Sequence, residues 1–346
     1  MVIHAAIIGA SGYSGVELLR LLAPRLDVAI ERVVAGASAG KRVDEVYPAL
    51  TGVVDLVFTP LDPASLEGMD VVFLSLPSGE AMDIVPSLRG KVGRIIDLGG
   101  DFRLSSAALY TQFYGRPHTA PELLGTAVYG LPELYKEQIA ESRFVANPGC
   151  YPTSAILPLF PLLNKGFVSP RGISINSVSG VSGAGRSASV EMSFAEVNEN
   201  VRGYKVGNHQ HIPEIQTILT QGAGEDVTLS FVPHLVPITR GIYTTTHATL
   251  VKSCSEADLH EVYCQAYGDA PFVRIRKGIP QVRDVAYSNY CDIGFTIDQR
   301  TGQVILTSTI DNLVKGAAGQ AIQNMNIMLG LPEDLGLRAR KEETYV

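Results

Sequence analysis

Cysteine is scarce in this chain. Only Cys150, Cys254, Cys264 and Cys291 occur in 346 residues, and no two of them form a C-x-x-C pair. Zinc-type spacing is missing as well, which excludes the common structural zinc modules. Such usage fits a reducing compartment, and Cys254, Cys264 and Cys291 read as structural. Positive charge is in deficit: 28 Lys and Arg stand against 35 Asp and Glu, for a net charge of -7. A phosphate-backbone binder needs a basic face, so no nucleic-acid partner is expected. No apolar run has the length of a membrane span, and prolines interrupt the best candidate, Ala155 to Leu163. The first residues form a strand-like run, Ile3 to Ile8, rather than a charged-then-apolar leader. A cytoplasmic protein without a membrane partner is therefore expected. Internal repeats, low-complexity tracts and long linkers are also missing. What is present, 46% hydrophobic residues over this length, suffices for two packed domains.

The first half has an ordered layout. Val2 to Ile8 reads as a buried parallel strand, Gly9-Ala10-Ser11-Gly12-Tyr13-Ser14-Gly15 as a glycine turn, and Val16 to Leu22 as an amphipathic helix. Glycine lets the main chain approach a pyrophosphate, and the helix start receives its charge. A glycine turn alone also closes ordinary βα units. Here, however, further strands follow at Val28 to Val34, Val71 to Leu76 and Arg94 to Leu98, alternating with helices. The alternation predicts an α/β domain with a doubly wound parallel sheet of Rossmann type. An NAD site usually places an acid at the end of the second strand. This chain has Ala35-Gly36-Ala37-Ser38-Ala39-Gly40-Lys41-Arg42 there. With no acid and two cations beside Ser38, the 2′-phosphate of NADP is the better match; an ordinary solvated loop is the competing reading. Leu76-Pro77-Ser78-Gly79 falls at the carboxyl edge of the sheet, where such folds bind ligands.

The most distinctive segment is Asn147-Pro148-Gly149-Cys150-Tyr151-Pro152-Thr153. It sets a cysteine after a Pro-Gly turn and before an apolar helix, Thr153 to Leu163. Unpaired N–H groups and the helix dipole stabilise a thiolate at such a place, and the thiolate is the nucleophile. A buried structural cysteine is the alternative. Beyond it, Gly172 to Ser179, Val227 to Val232 and Thr244 to Val251 are β-rich, with a helix at Ala257 to Tyr267, which predicts an antiparallel or mixed sheet. The change of pattern places a domain boundary near residue 149. Asp311 to Leu329 reads as a small-residue helix.

Gly207-Asn208-His209-Gln210-His211-Ile212-Pro213-Glu214 is the second chemically dense segment, with Pro213 suited to the first turn of a helix. It offers a base or an imidazolium partner for Cys150. H-x-H lacks the i, i+4 spacing of a helical zinc site and shows no third ligand, so no metal is expected. Asp101-Phe102-Arg103 follows the fourth strand. Ser179 to Arg186 is a glycine- and serine-rich loop ending in a guanidinium, a combination suited to phosphate. A flexible solvent loop is the other reading.

Taken together, these segments resemble the N-acetyl-γ-glutamyl-phosphate reductase family of arginine biosynthesis, and more distantly aspartate-semialdehyde dehydrogenase. The resemblance spans nearly the whole chain, and its specific parts are the Cys150 and His209-Gln210-His211 segments. It implies a Rossmann domain over residues 1–149 and an α+β catalytic and dimerisation domain with a mixed sheet over 150–311. The C-terminal helix, about 312–346, would pack back on the first domain. It implies NADP(H) as cofactor, a small acyl phosphate as substrate, and a homodimer or homotetramer. By the same resemblance Cys150 attacks the acyl phosphate, and His211 activates it and later supplies a proton. His209, Glu214, Arg103 and Arg186 would bind substrate. Gly9, Ser11, Gly12, Tyr13, Ser14, Gly15, Ser38, Lys41, Pro77, Ser182, Gly183 and Asn312 would bind the cofactor. The nearest rival is the carrier-protein-linked aminoadipyl-phosphate reductase of lysine biosynthesis.

Overall fold

The computed structural model describes residues 2–338. The chain divides into two compact units. One comprises the chain up to Gly149 and again from Ala317; the other is Cys150–Gly316. The return to the first unit falls later than residue 311. The reason is local: Asn312 receives the N–H of Gly241 at 2.7 Å and donates to the Ser182 hydroxyl at 3.0 Å, which ties it into the second unit. The end of the expected C-terminal segment, residues 339–346, lies outside the described residues.

The first unit runs β1 (Ile3–Ile8), α1 (Tyr13–Leu22), β2 (Val28–Val34), α2 (Val43–Val46), β3 (Val71–Leu74), α3 (Ala81–Leu88), β4 (Arg94–Asp97), α4 (Ala107–Tyr114), β5 (Val128–Tyr129), α5 (Pro132–Glu141) and β6 (Phe144–Ala146). Its six strands form one parallel sheet in the order β2-β1-β3-β4-β6-β5. The registers matter for function. Ile8 pairs with Val34 and Leu74, Leu74 with Asp97, and Asp97 with Ala146. Five strands thus finish level, and the glycine turn, the 35–42 loop, Pro77, the 98–103 segment and Asn147 all emerge along one edge. Open α/β sheets hold ligands at that edge.

The second unit runs α6 (Cys150–Asn164), β7 (Ile173–Ser179), α7 (Phe194–Val197), β8 (Arg202–Gly203), α8 (His211–Ala223), β9 (Leu229–Leu235), β10 (Ile242–Thr249), α9 (Glu256–Tyr267), β11 (Val273–Ile275), β12 (Cys291–Asp298) and β13 (Gln303–Ile310). The mixed seven-stranded sheet has the order β11-β12-β13-β10-β7-β9-β8. After β13 the expected small-residue helix is interrupted: Val314–Ala318 forms a π turn, and α10 (Gly319–Met328) follows in the first unit.

α6 passes straight through Pro158 and Pro161. Each proline leaves the carbonyl four residues earlier without its helical donor. Here the donors come from outside the helix. The Ser308 hydroxyl of β13 donates to the Ser154 carbonyl at 2.6 Å, and the Tyr267 hydroxyl of α9 donates to the Leu157 carbonyl at 2.7 Å. α8 lies against α6 at Gly222, where an added Cβ would meet the Phe160 ring at 2.5 Å. Among the described residues no helix is long and apolar enough to cross a membrane.

Candidate active site

α6 begins at Cys150 itself, three residues earlier than its apolar pattern indicated, so the thiol stands in the first turn and is half-buried. The other histidine-bearing segment reaches the same neighbourhood through a sharp reversal. After β8 the chain passes Lys205 at φ 45° and Gly207 at φ 76°, both left-handed, and then enters α8 at His211. Lys205 is an uncommon residue for that conformation; its ammonium donates to the Gln210 amide oxygen at 2.9 Å.

The result is an aromatic cluster. The Tyr151 ring meets His209, His211 and Phe231 edge-on, with centroids 5.7, 5.8 and 5.3 Å away. His209 and His211 lie 4.7 Å apart, and Tyr204 is 5.5 Å from His209. The Tyr204 hydroxyl donates to that of Tyr151 at 3.0 Å. Burial raises the pKa of both phenols, and the nearby Cys150 adds to the rise in each, so they remain protonated donors. Cys150, His209 and His211 are therefore brought together with two tyrosines and a phenylalanine. Glu214, in the first turn of α8, is buried as well.

The two histidines are not equivalent. The His211 backbone N–H donates to His209 Nδ1 at 3.1 Å. Nδ1 is thus an acceptor, and the proton of the neutral ring sits on Nε2. Burial, aided by the Lys205 charge, pushes the His209 pKa down to about 3. His209 is a neutral Nε2–H donor. His211 is buried at the opening of α8, against the Tyr151 ring.

Arg103 belongs to the first unit. Its guanidinium donates to the Asn147 carbonyl and to the Leu98 carbonyl, both at 2.8 Å. It clamps the turn that leads into the Asn-Pro-Gly-Cys segment. Arg186 stands on an exposed loop of the second unit. Ser182 and Asn312 are buried and bonded to each other, with Gly183 close by. Tyr151, Tyr204 and Phe231 were not singled out by sequence. Tyr151 lies inside the Cys150 segment and Tyr204 five positions before His209, but nothing in spacing shows that their rings meet.

The glycine turn suits a dinucleotide. Gly9 has φ 80°, and a Cβ there would overlap the Ser75 carbonyl; a Cβ at Gly15 would overlap that of Gly9. α1 starts at Tyr13 with Gly12 as cap and no side-chain acceptor on its first N–H groups, which leaves them for an anion. Ser11, Tyr13 and Ser14 lie on the same turn. In the 35–42 loop, Arg42 is engaged by Asp44 and Asp55, each at 2.9 Å. The Lys41 ammonium is exposed and makes no bond among the described residues, and Ser38 is half-buried nearby. Pro77 is exposed beyond β3.

A parallel dinucleotide-binding unit, joined to a mixed-sheet unit that opens on a cysteine beside two histidines, defines a two-domain nicotinamide-dependent oxidoreductase class. Residues 4–142 match the family model for the semialdehyde dehydrogenase NAD binding domain, and residues 150–312 that for the semialdehyde dehydrogenase dimerisation domain. The fold agrees with solved structures. Aspartate semialdehyde dehydrogenase II from Vibrio cholerae, complexed with ASA, superposes with a TM-score of 0.70 at 16% identity, covering 95% of this chain and 99% of that one. The Candida albicans aspartate semialdehyde dehydrogenase with NADP gives 0.68 at 18% identity, covering 96% and 100%. In sequence the chain is much nearer another branch. It is 50% identical over 342 residues to the N-acetyl-gamma-glutamyl-phosphate reductase of Symbiobacterium thermophilum, covering 97% of this chain and 98% of that one. It is 48% identical over 339 residues to that of Geobacter sulfurreducens, with the same coverage. The chain belongs to the semialdehyde dehydrogenase family, in the branch of the N-acetyl-gamma-glutamyl-phosphate reductases.

Proposed function

We propose that this protein reduces N-acetyl-L-glutamyl 5-phosphate to N-acetyl-L-glutamate 5-semialdehyde with release of phosphate, through a thioester on Cys150 and with NADPH as reductant. The observation that carries the reading is the position of Cys150, at the start of α6 and in one cluster with His209 and His211. The reading places the reaction in arginine biosynthesis. The carrier-protein-linked aminoadipyl-phosphate alternative is not favoured, because the relatives matched over nearly the whole chain bear the acetylglutamyl name.

In this mechanism His211 takes the thiol proton and the Cys150 sulfur adds to the acyl carbonyl carbon. The carbon–oxygen bond to phosphate then breaks, phosphate departs and a thioester remains. The oxyanion formed on the way is met by first-turn N–H groups of α6. NADPH, when bound, supplies the hydride that reduces the thioester carbonyl. The resulting oxyanion expels the sulfur as the aldehyde forms, and His211 returns its proton to the thiolate. His209 serves as a neutral Nε2–H donor to substrate, and Glu214 is the further substrate-binding candidate beside it. Arg103 and Arg186 are the phosphate-binding candidates, with Arg103 also securing the Asn147 carbonyl.

Gly9, Ser11, Gly12, Tyr13, Ser14, Gly15 and Pro77 are the dinucleotide-binding candidates of the first unit, and Ser182, Gly183 and Asn312 are the cofactor-binding candidates of the second. Preference for NADP over NAD rests on the Lys41 ammonium, which makes no bond among the described residues, on Ser38 and on the missing acid after β2. A cytoplasmic homodimer or homotetramer completes the reading, supported by the dimerisation-domain match.

The test is the reverse reaction, following NADPH formation from N-acetylglutamate semialdehyde, phosphate and NADP, with aspartate semialdehyde in parallel. Phosphate-dependent turnover of the acetylated substrate alone is expected. Turnover with neither aldehyde overturns the assignment.

A further inference from the structure

The nucleophile candidate is braced by a residue at the far end of the second unit. Gly316 lies in the middle of the Val314–Ala318 π turn. A Cβ added to it would stand 2.7 Å from the Cys150 Cβ and 3.3 Å from its Cα. Those are the fixed root atoms of the side chain, not a flexible tip, so the thiol cannot swing away from such a methyl group. Only a hydrogen fits, and the Gly316 main chain forms a wall against the root of the Cys150 side chain.

The wall is itself anchored. The Gly316 N–H donates to the Asp311 carbonyl at 2.9 Å, an i to i−5 bond that sets the wide turn. The Asp311 side chain is fully buried and spends both oxygens on the surroundings. One accepts from Leu313 and Val314 N–H at 2.8 and 3.1 Å; the other accepts from Tyr287 N–H at 2.7 Å and from Arg240 at 3.4 Å. Tyr287 has φ 61°, an expensive conformation for a tyrosine, held in place by that bond and by the Arg240 guanidinium 4.5 Å over its ring. π turns are rare and recur at functional sites.

We propose that Gly316 and Asp311 are positioning residues for the Cys150 thiol: the π turn, locked by the Asp311 carboxylate, presses its glycine against the cysteine and fixes the line along which the sulfur attacks. This rests on Cys150 being the nucleophile. A displacement of about 1 Å at a reacting centre costs on the order of a hundredfold in rate. Gly316→Ala therefore lowers kcat at least about tenfold while the KM for the acyl phosphate and the affinity for NADPH move less than about twofold.

The experiment measures turnover, NADPH binding and the rate of Cys150 alkylation by iodoacetamide from pH 5 to 9, in the parent, Cys150→Ser, Gly316→Ala and Asp311→Asn. The expected result is loss of turnover in Cys150→Ser, and in Gly316→Ala a fall in kcat with an altered alkylation–pH profile but intact cofactor binding. Asp311→Asn is expected to shift both readouts in the same direction by a smaller factor. It carries the test alone if Gly316→Ala does not fold. Parental kcat and parental alkylation in whichever variants fold overturn the positioning role. Full turnover in Cys150→Ser instead overturns the nucleophile reading beneath it.

Discussion

His209 and Lys41 show how much a single side chain's surroundings decide. His209 is held neutral with a pKa of about 3, against 6.5 for a free imidazole. It cannot act as an imidazolium at any working pH, and the pH dependence of turnover must come from other groups. His209→Asn keeps an acceptor for the His211 N–H. We expect it to lower kcat/KM about tenfold, as for one lost neutral hydrogen bond in the site, with the shape of the pH–rate profile between 5 and 9 unchanged. A displaced acidic limb would contradict the neutral assignment. Lys41 is the opposite case, an ammonium with no bond among the described residues beside an Arg42 already engaged by two carboxylates. Lys41→Ala is expected to raise the Kd for NADPH about tenfold, as for one charge-assisted contact, and leave that for NADH nearly as it was. Equal losses for both cofactors would remove the 2′-phosphate role. Sequence marked these side chains because each stands at a telling place in a motif. It did not reveal Tyr151, Tyr204 and Phe231 as one cluster, because their meeting depends on the left-handed turn at Lys205 and Gly207.

At the level of elements, α6 is the instructive one. Its two internal prolines argue against a continuous helix by propensity, and no local pattern reveals that hydroxyls from β13 and α9 replace the missing donors. Tyr267→Phe should expose that dependence. It leaves the buried Leu157 carbonyl without the Tyr267 donor, at a cost of about 1–3 kcal/mol, read as a fall of several degrees in Tm. Tyr263→Phe removes a similar hydroxyl from the Pro158 carbonyl, which retains Leu162 as its ordinary helical partner. The loss there should be smaller, and equal losses would sink the explanation. By contrast β1, α1, β2, β3 and β4 were all legible. Their apolar runs are short, bounded by glycine or polar turns, and buried by near neighbours in sequence. The helix expected over Asp311 to Leu329 was only half right, because the π turn answers to Asp311 and Cys150 rather than to local preference.

Across the whole molecule, stability carries the mark of one buried acid. Asp97, fully buried at the end of β4, has its pKa raised to about 7 from 3.8, chiefly by burial and then by the neighbouring Asp101. Below about pH 4 both folded and unfolded chains hold the proton. Between 4 and 7 the folded chain holds one more, so stability declines as pH rises and the full penalty stands above 7. Asp97→Asn keeps the acceptor for the Gly99 N–H, seen at 2.8 Å, and removes the titration. Its Tm should exceed the parent's by a margin that grows from pH 4 to 7, and a constant margin would refute the linkage. The alternation of strands and helices, and the change of pattern near Cys150, made the two-part plan readable. The return point was not, since it depends on the bonds of Asn312. That return point has a topological consequence. The second unit enters at Cys150 and leaves at Gly316, and these two residues touch. Its ends close on each other like a clasp, the geometry that lets a segment sit in a host loop without a spacer. The Cys150 sulfur sits on the clasp itself, so an excision one residue short at the front discards the proposed nucleophile.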